Sequence, residues 1–200
     1  MELDRWITNA HELARAKSEL EPAVGPYCKM LEFVIKERYR GACHAVSAIL
    51  HVLLREHGLQ SDLCMGELGR DTISFDHSWV EINGSIFDVA VTSTHDPRYD
   101  SPPVFAGLDL SSRGEPTWQY GIDSGTGDDP AVVAIKEMSF LQFMNGAPIH
   151  KNGLWHIVQK IGGRSGLALS LNKLRAKYGQ ATWTVKKDFD LMPPASESPR

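Results

Sequence analysis

The chain has 200 residues, of which 42 % are hydrophobic and 23 % charged, with a formal net charge of −4. That length allows a sizeable core, no apolar run approaches the roughly 18 residues a membrane helix needs, and no basic stripe is offered to phosphates. Neither a membrane nor a nucleic-acid partner is expected. The cysteines Cys28, Cys43 and Cys64 are odd in number and form no CxxC, so neither a disulfide framework nor a bound metal or other cofactor is expected. The first residues lack the basic-then-apolar order of a secretory signal, which makes the cytoplasm the expected compartment.

In chain order, residues 3–19 predict an amphipathic helix, and Pro22 and Pro26 punctuate before a second helix over about 26–38. A third helix runs from Cys43 to His57 and is stopped by Gly58. It is apolar nearly all round, and His44, Ser47, His51 and Arg55 form its narrow polar stripe, read here as a solvated or interface face. Strands follow at 61–68, 73–82 and 85–91, joined in the last pair by Asn83-Gly84, the strongest short hairpin signal. Residues 93–130 are rich in Pro, Gly and Asp and read as a long loop, with Trp118 and Tyr120 as anchors or cleft-lining side chains. Helical periodicity returns at about 131–144 and 166–178, and 191–200 reads as a disordered tail.

Cys43 follows Gly41-Ala42 at the start of the buried helix, where free backbone N–H groups and the helix dipole favour a thiolate. Such a nucleophile needs a base. If Asn83 and Gly84 are the two loop residues, Ile82 faces Ser85, Trp79 faces Asp88 and His77 faces Ala90. His77 and Asp88 then share one face as diagonal neighbours, so the carboxylate can orient the imidazole. Cys28 and Cys64 have no such partners and read as core thiols, and Trp79 reads as core beside the site. Metal ligation by His44, His51, His77 and Cys43 is disfavoured, because His44 points about 100° away from Cys43 on an ideal helix and no HxxxH or CxxC pairs two ligands.

The stretches GACHAVSAILHVLLREHGLQSDLCMGE, HSWVEI and FDVA resemble the core of the transglutaminase-like superfamily, a branch of the papain-like cysteine enzymes. The resemblance covers about residues 38–92 and implies Cys43 as nucleophile, His77 as acid/base and Asp88 as orienting group. Gln60-Ser61-Asp62 after the helix and Val89-Ala90 after the aspartate depart from the family pattern, outside those three residues. For the oxyanion hole the Cys43 backbone N–H is assigned, with Tyr39 as an upstream side-chain candidate. Arylamine N-acetyltransferases share the Cys-His-Asp arrangement, and Arg40-Gly41 is similar to theirs, but their second glycine and following Glu are absent.

The expectation is one α+β domain over 1–190 with a papain-like, transglutaminase-like core at about 26–92: a Cys-bearing central helix packed on an antiparallel sheet, with extra helices N- and C-terminal. The expected function is acyl transfer through a thioester, with hydrolysis of a peptide or isopeptide bond in a peptide or protein substrate favoured. The alternatives are an amine-accepting acyltransferase and a binding module that keeps the fold without catalysis.

Overall fold

The amphipathic start of the chain folds as helix α1 (Glu2–Ala16), which buries Trp6, Ala10 and Ala14 and leaves its charged side chains in water. The computed structural model describes residues 2–147 and 150–187, so the tail expected at 191–200 lies outside the described residues. A 3-10 turn at Ser18–Leu20 leads into α2 (Glu21–Lys36). The prolines do not separate helices as expected. Pro22 occupies the first turn, where an amide has no intrahelical partner to lose, and Pro26 lies inside α2, which forgoes a single backbone bond there.

Helix α3 (Cys43–Glu56) buries Val46, Ile49, Leu50, Leu53 and Leu54. Its polar stripe does not face solvent. Ser47 and His51 are buried; the Ser47 hydroxyl donates to the Ser78 carbonyl at 2.7 Å, and His51 Nδ1 meets the Ser61 hydroxyl at 3.0 Å. The stripe is turned to the sheet side because that is where its polar groups find partners, which buried polar atoms require.

Strands β1 (Asp62–Arg70) and β2 (Ile73–Ile82) pair antiparallel from Asp62↔Glu81 to Arg70↔Ile73, and β3 (Ser85–Phe87) continues through the Asn83-Gly84 turn. Both turn residues have positive φ, 51° and 75°, as a two-residue type I′ connection requires. The pairs Ile82↔Ser85, Glu81↔Ile86 and Val80↔Phe87 are those the turn predicts. The third strand is shorter than expected. After Phe87 the chain leaves β2, Asp88 bridges Val104, and Ala90–Ser93 wind into a 3-10 turn.

The segment expected to be a loop carries structure: β4 (Val104–Phe105) pairs β5 (Leu108–Asp109), and β6 (Gln119–Ile122) adds to β1. The helical stretch that follows is split into α4 (Pro130–Glu137) and α5 (Phe140–Gly146), because Ser139 and Gln142 form a capping box that starts a new helix. Helix α6 (Trp155–Arg164), not anticipated from periodicity, precedes α7 (Leu171–Tyr178). Strand β7 (Trp183–Lys186) then returns to lie parallel to β1 along Leu63–Gly66.

The result is α+β with a mixed sheet, ordered β3-β2-β1-β6 with β7 also on β1, rather than the purely antiparallel sheet expected. Strand β1 is central because its outer edge is shared: β7 takes Leu63–Gly66, β6 takes Glu67–Gly69, and the register shifts at Glu67/Leu68. Gly66 permits this crowding, since a Cβ there would stand 2.4 Å from the Lys186 carbonyl oxygen. A continuous apolar cluster joins α1, α2, α3, α6 and α7 to the sheet through Val34, Leu53, Val80, Phe87, Val158 and Leu174. Among the described residues no helix is long and apolar enough to cross a membrane.

Candidate active site

Cys43 is the first residue of α3, preceded by Ala42, whose side chain offers no cap. The first-turn amides of such a helix have no intrahelical partners and carry the positive end of its dipole. The segment before it is pinned by the Gly41 N–H to the Ser93 carbonyl at 2.8 Å, which draws residues 93–96 alongside. Arg40 holds the same segment by gripping both Asp100 oxygens, at 2.9 and 2.8 Å, and the Thr94 carbonyl. Cys43 is partly exposed, whereas Cys28 and Cys64 are buried and pushed up to about 12, chiefly by burial.

His77 and Asp88 are both 1 % exposed and meet directly: His77 Nε2 donates to Asp88 Oδ2 at 2.7 Å. Asp88 is held on every side. Its backbone exchanges two 2.8 Å bonds with Val104, and its Oδ1 accepts the Ala90 and Val91 amides at 2.8 and 3.2 Å. These last bonds turn the chain off the sheet, which is why the third strand stops early. Tyr27 from α2 donates to the Val104 carbonyl at 2.8 Å and so braces the junction. With Oδ1 occupied, Oδ2 is left for His77 and for the Tyr120 hydroxyl, which donates to it at 2.9 Å.

With Nε2 committed to Asp88, Nδ1 of His77 is the nitrogen left for the Cys43 sulfur. Burial alone lowers the affinity of His77 for a proton, but the adjacent Asp88 charge, its hydrogen bond and Cys43 reverse this and raise His77 to about 10. Burial alone pushes the Cys43 thiol up, yet hydrogen bonding by His44 and His77, reinforced by charge, brings it down to about 5. Both shifts act the same way, favouring a proton on His77 and a negative charge on Cys43.

Both groups open onto a cleft of about 790 Å³ between the start of α3, β2, the 93–96 segment and the residues leading into α4. No protein family, curated protein or solved structure matches this chain. The site is thus read from its own atoms. Its rim is acidic: Glu67, Asp76, Asp96, Asp128 and Asp129 all line it. Asp96 is paired with Arg98 and Asp128 with Lys136, while Asp76 is raised by burial and by the neighbouring carboxylates. Among the described residues no three His, Cys, Asp or Glu side chains are grouped to hold a metal ion.

The structure brings together Cys43 from α3, His77 from β2 and Asp88 from just after β3. It does not bring Tyr39, which packs on Phe33 with ring centroids 5.4 Å apart and does not line the cleft. Trp118 anchors its segment by donating to Ser101 at 2.8 Å under the Arg70 guanidinium. Trp79 is buried as expected and donates to Glu81 at 2.9 Å. Two residues are visible in the sequence without their roles: Tyr120 reads only as an anchoring or cleft-lining aromatic and here donates to Asp88, and His44 reads only as part of a solvated or interface stripe and here stands in the cleft wall.

Proposed function

We propose that this protein is a cysteine-dependent acyl-transfer enzyme of the transglutaminase-like, papain-like type, which hydrolyses an amide bond in a peptide or protein. One observation carries the reading: Asp88 holds His77, and His77 faces the Cys43 sulfur at a helix start on the floor of a cleft. The thiolate attacks the amide carbonyl carbon, and the resulting oxyanion takes the Cys43 backbone N–H as donor. His77 gives its Nδ1 proton to the departing amine as the C–N bond breaks, leaving a thioester. Water then attacks the thioester, His77 accepts its proton, and the thiolate leaves with the acid product released. Throughout, Asp88 keeps the proton of Nε2 in place, so that only Nδ1 exchanges protons with the reacting atoms.

The test is to incubate the full chain and its Cys43→Ala variant with a complex protein mixture and identify products by mass spectrometry. New peptide termini that depend on Cys43 are the expected result. Amine-linked adducts in their place would reassign the acceptor from water to an amine, and neither product would leave the fold as a binding module.

A further inference from the structure

The cleft wall holds a second imidazole that the mechanism above does not use. His44 follows Cys43 in the first turn of α3 and lines the same cleft. Its Nδ1 lies 2.6 Å from the hydroxyl of Ser78, a residue with no exposed surface. Trp183 stands edge-on to its ring, centroids 6.0 Å apart with planes at 89°. That contact is made by β7, the strand that returns to β1 after helices α4 to α7. The ring is therefore gripped from β2 and from β7, and its position is set by the fold.

We propose that His44 is a second hydrogen-bond donor to the Cys43 thiolate, a positioning residue that steadies the nucleophile without taking part in proton transfer. This rests on the acyl-transfer reading above. Ser78 and His77 are neighbours on β2, so their side chains leave opposite faces of the strand. The strand thereby controls both imidazoles at the sulfur, one through Asp88 and one through Ser78. A serine hydroxyl can donate or accept. If His44 is neutral, Ser78 donates to Nδ1 and the ring proton resides on Nε2; if His44 is charged, both nitrogens carry protons. In either state an Nε2–H remains for the sulfur. The division of labour follows from the chemistry: His77 must surrender its proton to the leaving amine, whereas a donor locked to Ser78 can hold a thiolate without protonating it.

The groups that set the charge at this sulfur are His44 and His77, with Asp88 behind His77, while Asp76, Asp96 and His95 line the cleft opposite. The experiment titrates the ultraviolet absorbance of the thiolate, and the pH profile of alkylation, in full-length wild type, His44→Phe, His44→Gln, Ser78→Ala and His77→Ala proteins. Removing the donor in His44→Phe is expected to raise the thiol midpoint by about one pH unit, a tenfold loss of thiolate at acid pH. His44→Gln, which restores an N–H, should recover most of that shift, and Ser78→Ala should give a smaller shift in the same direction. Unchanged midpoints in His44→Phe and Ser78→Ala, with wild-type circular dichroism, overturn the proposal while leaving acyl transfer standing. Should His44→Phe fail to fold, Ser78→Ala decides alone, because it leaves the imidazole in place. If wild type itself titrates as an ordinary thiol and matches His77→Ala, the acyl-transfer reading fails first, and this inference with it.

Discussion

Replacing Asp88 by Asn tests the buried pair most directly. The variant keeps an oxygen where Oδ1 accepts the Ala90 and Val91 amides, but it presents an N–H₂ to two donors, His77 Nε2 and the Tyr120 hydroxyl. Two hydrogen bonds to the carboxylate are lost, a cost of about 3–6 kcal/mol at neutral pH. The pH dependence is more specific. His77 is raised from 6.5 to about 10, so its contribution is fully present below pH 6.5 and lost as pH rises through about 10. Cys43 is lowered from 9.0 to about 5, so its contribution is present above pH 9.0 and lost as pH falls through about 5. Between 6.5 and 9.0 the folded pair holds one proton, and so do the two groups in the unfolded chain; the slopes cancel and stability from the pair is flat. From 6.5 down toward 5 the wild type should lose about 2 kcal/mol from this source, and from 9.0 up to 10 about 1.4 kcal/mol, at roughly 1.4 kcal/mol per pH unit. In Asp88→Asn both flanks should flatten. Urea denaturation of both proteins at intervals from pH 5 to 10 measures this, and a stability difference that stays constant across that range would refute the ion pair.

Tyr120→Phe removes only the 2.9 Å donor to Asp88 Oδ2 and should destabilise by about 1–2 kcal/mol in urea denaturation. Combined with Asp88→Asn it should be non-additive by about 0.5–3 kcal/mol, since both act on one carboxylate oxygen; strict additivity would separate Tyr120 from the site. Gly66→Ala places a Cβ 2.4 Å from the Lys186 carbonyl oxygen and 3.2 Å from the Trp79 ring. It should push β7 off β1 and cost about 1–3 kcal/mol. Limited proteolysis should then cut near Trp183 before the core opens, and an unchanged cleavage pattern would show that β7 tolerates the shift.

What could be read from the sequence was local. The Asn83-Gly84 turn admits one register, and that register places His77 and Asp88 on one side of β2, where they do meet. The apolar run after Cys43 marks a buried helix because no other arrangement hides Val46, Ile49, Leu50 and Leu53 together. The helix stripe misled for a physical reason. Polarity on a buried helix signals only that partners exist, and here they are the Ser78 carbonyl and hydroxyl and the Ser61 hydroxyl rather than water. Pairing of β6 and β7 with β1 joins residues 50 or more apart in sequence, and neither short strand has a periodicity long enough to announce itself.

The elements that were illegible are also those that complete the site, and this follows from how a buried ion pair must be built. A charged imidazole and thiolate largely removed from water persist only if neighbouring groups satisfy their remaining hydrogen bonds. The hairpin supplies one such contact, between His77 and Asp88, because hairpins bring near-neighbours in sequence together. The turn after β3 adds the Ala90 and Val91 amides to Asp88, and further contacts come from chain that has travelled away and returned: Tyr120 through β6 for the second donor to Asp88 Oδ2, and Trp183 through β7 for the wall behind His44. Strand β1 can receive both only because its outer edge is divided at Glu67/Leu68. The register shift there is what lets two distant segments reach the same site, and the mixed sheet follows from that requirement.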